Sequence, residues 1–367
     1  MKVGIVSTHS WKVPNEIHTG DGFYADLAMV LDEMGHEVTF FAPNGSYVPP
    51  NGRQLTMPCS FGQGHPSSAD CEQECYNKYS DVLRSLDVVH DFSITKRIVE
   101  NLWSSGYENV ISTPMGGSWN YSENLHNLVL HSEAMKQRGL RGATDYEGTP
   151  TPDAAGPPQK PIKNAHVVNL GIDTNYYTPT YEKKSSYLWV GRWHPIRGYK
   201  FAIELAKETG IQLILAGQHP DREITQHQKE CCFEALKLAK GTNNIEFEWL
   251  PKDPYHHERK MELLQGAKAL ILPTQFQEPW GLTSSEALAC GTPVITTNYG
   301  SASEIITDGV TGYVVNNDIK AFAEALNKVH KINPAICREY AVRKFDRKVM
   351  AANYVVEYNR VIAGERW

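Results

Sequence analysis

A chain of 367 residues is long enough for two ordinary domains, each with its own core. Its composition, 41% hydrophobic and 21% charged, is that of a folded globular protein and excludes a disordered one. A net charge of −6 speaks against a nucleic-acid partner, whose phosphates call for a basic face.

MKVGIVSTHS shows no cleavage site, and no stretch reaches about 18 uninterrupted apolar residues, so a cytoplasmic protein is expected. The seven cysteines are odd in number and irregularly spaced, as expected of reduced thiols. Cys59, His65, Cys71 and Cys75 fall close together, but their spacing matches no common zinc module, and surface thiols are expected there.

In chain order, residues 3–7 read as a buried strand, the loop HTGDG leads into a helix over 23–34, and Gly35 caps it before a strand over 37–42. This βαβ opening implies a parallel sheet. Strands follow at 87–89 and 110–112. Residues 139–161 are rich in Gly and Pro and read as a mobile loop over a site. A second alternating series begins near Tyr187 with the strand YLWVGR, the helix FAIELAKETG capped by Gly210, and the strand IQLILAG. A helix over 228–239, a strand over 245–249, a helix over 258–266 and the strand ALILPT come next. A short helix starting near Leu282 then precedes VITT, and residues 334–367 read as mostly helical. Two doubly wound sheets are therefore expected, and such folds bind ligands beyond the carboxyl ends of their strands.

The stretch EPWGLTSSEALACGTPV sits at such a strand end. Its helix start offers free amides and a positive dipole end to an anion, and Gly281 lets the backbone approach closely. Glu278 precedes the helix and Glu286 lies within it. A carboxylate accepts two hydrogen bonds side by side, which suits a vicinal diol, and a nucleotide sugar carries two diols flanking a diphosphate. Taken alone, two glutamates at this spacing more often read as a loop carboxylate and a solvated helix residue, and the surrounding residues favour the ligand. GRWHPIRGYK places Arg192 and Arg197 on a βα turn, either to grip a diphosphate or as surface arginines. Gly20 and Gly22 of HTGDG serve a tight turn or a phosphate. No Asp-x-Asp occurs, so a metal-bridged diphosphate is not expected.

Together HTGDGFYADLAMVLDEMGHEV, DVVH, NLGID, GRWHPIRG and EPWGLTSSEALACGTPVITTNYGSASEIITDGVTGYVV resemble the GT-B glycosyltransferases, specifically glycosyltransferase family 4. The resemblance implies an α/β fold of two Rossmann-like, doubly wound parallel-sheet domains facing a central cleft. An acceptor-side domain would span 1–172 and a nucleotide-sugar-binding domain 173–345, with a helix over 346–367 packing back on the first. It implies retaining, metal-independent transfer of a hexose from a UDP- or GDP-sugar to an acceptor hydroxyl, with no cofactor. The acceptor, whether saccharide, lipid-linked or small molecule, is left open, as is peripheral membrane contact.

By the same resemblance Glu278 contacts the hexose, and the amides of Trp280, Gly281, Leu282 and Thr283 hold phosphate and sugar. Gly20, Gly22 and Gly191 complete the donor site, Glu286 takes the ribose diol, and Arg192 and Arg197 stabilise the departing diphosphate. Arg197 stands where the family usually has lysine. The family's first-domain histidine is absent, since the chain reads STPMGG after residue 112. His90, His126 and His131 are the stand-ins, with His90 placed among the catalytic residues. Trp11, Trp103 and Trp119 are expected either to stack on a sugar or to fill a core. A nucleotide-sugar epimerase and a non-catalytic nucleotide-sugar-binding protein of the same fold are the alternatives.

Overall fold

The computed structural model describes residues 1–8, 13, 22–47, 49–58, 67–114, 125–138, 162, 164–221, 224–251 and 258–367. Gly20, Trp11, Trp119, Cys59, His65 and the loop over 139–161 lie outside them. Among the described residues the chain divides into two units, one of residues up to 138, residues 162–171 and Arg347–Trp367, the other of Ile172–Asp346.

The first unit runs β1 (Lys2–Val6), α1 (Gly22–Glu33), β2 (Glu37–Ala42), β3 (Arg53–Thr56), α2 (Ser68–Arg84), β4 (Val88–Asp91), α3 (Arg97–Ser104) and β5 (Val110–Ser112). A short ladder of β6 (Val129–Leu130) and β7 (His166–Val167) encloses α4 (Glu133–Arg138) in sequence. The five main strands lie in the order β3-β2-β1-β4-β5, every pairing parallel. Val3, Ile5, Val88, Val89 and Val110 are wholly buried, as strands covered on both faces require. β3 and α2 go beyond the sequence expectation. β3 is a polar edge strand, RQLT, with no apolar run to reveal it, and α2 is capped by Ser67, whose hydroxyl accepts from the Asp70 amide at 3.2 Å. Cys71 is disulfide-bonded, a correction to the expectation of reduced thiols throughout, whereas Cys75, Cys231, Cys232, Cys290 and Cys337 are free.

The second unit runs β8 (Tyr187–Val190), α5 (Tyr199–Thr209), β9 (Leu213–Gln218), α6 (Gln226–Ala239), β10 (Ile245–Leu250), α7 (Glu258–Gly266), β11 (Leu270–Leu272), α8 (Leu282–Ala289) and β12 (Val294–Thr297). After these come α9 (Ala302–Ile305), β13 (Gly312–Val315), α10 (Ile319–Lys328) and α11 (Pro334–Phe345). Its strand order is β10-β9-β8-β11-β12-β13, all parallel. The winding therefore reverses between β8 and β11, and a crevice opens at their carboxyl ends where the chain departs in opposite directions.

Two loops meet at that reversal. The Gln275 amide donates to the Ile196 carbonyl at 2.8 Å. Gly198 has φ +73°, and a Cβ there would lie 1.9 Å from the Pro273 carbonyl oxygen, so the junction admits only glycine. Trp189 and Trp193 fill the space beneath, with the Trp189 indole donating to the Arg197 carbonyl at 2.9 Å.

Asp346, extended at ψ 140°, ends α11, and α12 (Arg347–Ile362) returns to the first unit. There Arg347 pairs with Asp26 of α1 at 3.2 Å. Trp367 stacks on His166 at 4.0 Å, and its indole donates to the Leu128 carbonyl at 3.0 Å. No helix among the described residues is long and apolar enough to cross a membrane.

Candidate functional site

The reversal between β8 and β11 gathers three of the charged residues singled out in the sequence. β8 delivers Gly191, whose amide still pairs with the Ala216 carbonyl at 3.1 Å, and then Arg192. The short turn Pro195–Arg197, capped by the His194 ring, sets Arg197 toward the β11 loop, where its guanidinium forms a hydrogen-bonded ion pair with Glu278. The guanidinium also lies 4.9 Å from the centre of the Phe276 ring, a cation–π contact that holds it from below. Arg192 is exposed to solvent yet crowded by protein. That crowding, and next the like charge of Arg197, lower its pKa to about 10 against the opposing pull of Glu278. It remains a cation at neutral pH.

Glu278 is fixed through its backbone. Its carbonyl accepts from the Ser301 amide at 2.9 Å, and the neighbouring Gln277 side chain accepts from the Gly300 amide at 2.6 Å. Two residues on, Trp280 is buried, its ring edge-on to Phe345 at 5.6 Å. Gly281 caps α8 with no side chain to satisfy the helix start, so among the described residues the amides of Leu282 and Thr283 are left as the open donors that any helix begins with. The helix is held at its other end by cations. Lys183 donates to the Cys290 carbonyl at 2.9 Å, and Arg338 to the Ala289 carbonyl at 3.1 Å, both complementing the negative end of the dipole.

Glu286 lies one turn inside α8 and is buried rather than solvated. Tyr177 donates its hydroxyl to Oε1 at 2.8 Å, and the Lys260 ammonium of α7 lies 2.5 Å from Oε2. Burial, and next the Glu286 charge, push the Tyr177 phenol well above its ordinary pKa, so it stays a donor. Neither Lys260 nor Tyr177 was singled out in the sequence. The available signal was Lys260 itself, which shares a buried face with Leu263 and Leu264, where a lysine has no packing reason to be.

In the first unit Gly22 opens α1 with open space where a Cβ would stand. His90 corrects the sequence expectation. It is wholly buried at the end of β4, with Nδ1 2.9 Å from the Tyr358 hydroxyl and Nε2 2.7 Å from the Thr113 hydroxyl. Burial, followed by the charges of Lys96 and His131, lowers its pKa well below the usual histidine value. With no accessible surface and both nitrogens engaged, it is a structural residue. His131 is equally buried, its pKa lowered to about 4 by burial. His126 stacks flat on Trp103 at 3.5 Å, and burial again lowers its pKa.

Residues 178–343 match the family model described as glycosyl transferases group 1. The alpha-maltose-1-phosphate synthase of Mycolicibacterium smegmatis is 30% identical over 206 residues, which cover 50% of this chain and 51% of that protein. The chain thus spans about half the length of the curated relatives it matches. Whole-chain likeness comes from structures. The sucrose-phosphate synthase of Thermosynechococcus elongatus superposes with a TM-score of 0.73 at 16% identity, covering 100% of both chains. Alr3699/HepE of Anabaena, solved in complex with UDP, gives 0.68 at 13% identity over 98% of this chain and 100% of that one. With its two doubly wound parallel sheets the chain has the GT-B fold, and within its second unit residues 178–343 carry the match to the group 1 glycosyl transferases.

Proposed function

We propose that this protein transfers a hexose from a nucleoside diphosphate sugar to an acceptor hydroxyl, with retention at the anomeric carbon and without a metal ion. The observation that carries the proposal is the grouping of Arg192, Arg197 and Glu278 beside the uncapped start of α8, at the point where the second sheet reverses. Two guanidiniums and a helix N-terminus supply the positive charge that a departing diphosphate needs. Preorganised donors of this kind act on charge as it develops.

In this reading Glu278 contacts the hexose, the amides of Trp280, Gly281, Leu282 and Thr283 hold phosphate and sugar, and Glu286 accepts from the ribose hydroxyls. The bond between the anomeric carbon and the β-phosphate oxygen breaks as the acceptor oxygen bonds to that carbon on the same face. The acceptor proton passes to the departing phosphate oxygen, so no histidine base is required. Gly191 lets the ligand approach the β8 turn. Gly22 and Gly20 are proposed for the donor site from the family resemblance alone.

UDP is the first nucleotide to try, because it is the ligand of the Anabaena neighbour; GDP is next. The test is a thermal-shift panel with UDP, GDP, ADP, CDP and TDP, with and without EDTA, on the wild type and Glu286→Ala. A ligand at 100 times its Kd raises stability by about 2.7 kcal/mol, an easily measured shift. Stabilisation by one nucleotide that survives EDTA and is lost in the variant is expected. No shift with any nucleotide would overturn the donor site. With the matching sugar nucleotide, release of nucleoside diphosphate only when acceptor is present marks a transferase. An isomerised donor without acceptor would instead support an epimerase.

A further inference from the structure

Resting on the reading of Glu286 as the ribose carboxylate, we infer that Lys260 is its partner in a two-sided clamp that selects ribonucleotides over deoxyribonucleotides. The pair comes from two helices, α7 and α8, and is reached from little open surface, with the side chains 11% and 10% exposed. A buried ion pair is an indifferent stabiliser, because desolvating two charges offsets most of their attraction, and an apolar residue beside Leu263 and Leu264 would pack without that cost. The pair therefore calls for another use.

Its hydrogen-bonding capacity indicates which. A carboxylate has about four acceptor sites, and Glu286 commits one, on Oε1, to the Tyr177 hydroxyl, while the buried Oε2 is ion-paired with Lys260 but accepts no aligned hydrogen bond from the described residues. The capacity left is enough for the protons of a vicinal diol. The ammonium carries three donors, and among the described residues Glu286 is the group it pairs with. A hydroxyl is both donor and acceptor, so a ribose hydroxyl lying between the two residues gives its proton to Glu286 and accepts one from Lys260. A deoxyribose leaves both protein groups short of a partner. Sites built to bond a hydroxyl reject the analogue lacking it by large factors, on the order of 10⁴ in favourable cases. Tyr177 is a positioning residue here. Its hydroxyl fixes the rotation of the carboxylate, and Arg338 in turn holds the Tyr177 carbonyl at 2.6 Å.

The test is calorimetric titration with UDP, GDP and ADP, each beside its 2′-deoxy and 3′-deoxy counterparts. The proteins are the wild type, Lys260→Met, Lys260→Arg and Glu286→Gln. The wild type is expected to bind one ribonucleotide at least about tenfold more tightly than one of its deoxy counterparts. Lys260→Met should weaken the ribonucleotide and leave that deoxy analogue nearly unchanged, collapsing the ratio, and Lys260→Arg should restore most of it. Should Lys260→Met fail to fold, the near-isosteric Lys260→Gln carries the same comparison. Equal weakening of ribo and deoxy ligands, or no effect on either, would overturn the clamp while leaving the donor site standing. Failure of the wild type to bind any of the three ribonucleotides would remove the donor site and the clamp together.

Discussion

Gly300 lies so close to the backbone of Glu278 that a Cβ built on it would stand 2.2 Å from the Glu278 carbonyl oxygen and 2.4 Å from its amide nitrogen. Its φ of +60° is a conformation that alanine adopts only with strain. Gly300→Ala is expected to destabilise the second unit by more than about 1 kcal/mol and to displace the Glu278 loop. Denaturant melts should show the first effect, and a loss of turnover larger than the stability change explains should show the second. Wild-type turnover in a folded variant would mean that this contact does not set the loop.

Arg197 offers a contrast between charge and shape. Arg197→Met is expected to lower turnover by about 10²- to 10³-fold, the usual loss when one preorganised donor to a developing anion is removed. Arg197→Lys keeps the charge and should retain activity within about tenfold, although the fork that meets Glu278 is gone. Steady-state rates for both variants, with binding of UDP compared against uridine, separate a diphosphate contact from general disturbance. Equal loss of uridine and UDP binding would argue against the diphosphate assignment.

The acid side of the stability profile should report His131. Its pKa in the folded chain is lowered to about 4, against 6.5 for a free histidine. Between those values the unfolded chain holds more protons than the folded one, so stability rises with pH across that window and is complete above it. The wild type should therefore lose roughly 3 kcal/mol more than His131→Gln on acidification from pH 6.5 to 4. Parallel denaturant titrations across that range measure the difference, and profiles of the same slope would refute it.

His90 gives the complementary expectation. Replacing it by Gln strands the buried hydroxyls of Tyr358 and Thr113, at a cost of about 1–3 kcal/mol each in lost pairing. Nucleotide affinity of the folded variant should stay within about twofold of wild type. A variant of undiminished stability that no longer turns over would restore a chemical role to His90.

What the sequence reveals and what it hides follow from the range of the forces involved. IQLILAG and VITT show themselves as strands because parallel strands covered on both faces read as near-continuous apolar or β-branched runs rather than alternating ones. The start of α8 at Leu282 is equally plain, marked by the Pro-Trp-Gly break before it. β3 escapes because an edge strand needs no apolar face, and β6 and β7 because two residues make no pattern. Arg192, Arg197 and Glu278 are visible one by one. That they meet depends on the strand order, since β8 and β11 are neighbours only in the folded sheet. The misreading of His90 has the same root. Its decisive partner, Tyr358, lies 268 residues further along the chain, and no local pattern carries that contact. Lys260 hides differently, as one cation within the charged run ERK, set apart from its neighbours in the sequence by its i+3 and i+4 spacing to Leu263 and Leu264.

The return of α12 to the first unit bears on how the protein is made. During synthesis the strands β1 to β5 leave the ribosome early, yet the groups that close over His90 and Asn127, Tyr358 and Trp367, are translated only after the second unit. The second unit holds all of its residues before the first has received its final helix, so maturation runs against the order of translation. Cutting the gene between residues 171 and 172 would yield a front half with an open core, and a practical dissection must graft residues 347–367 back onto it.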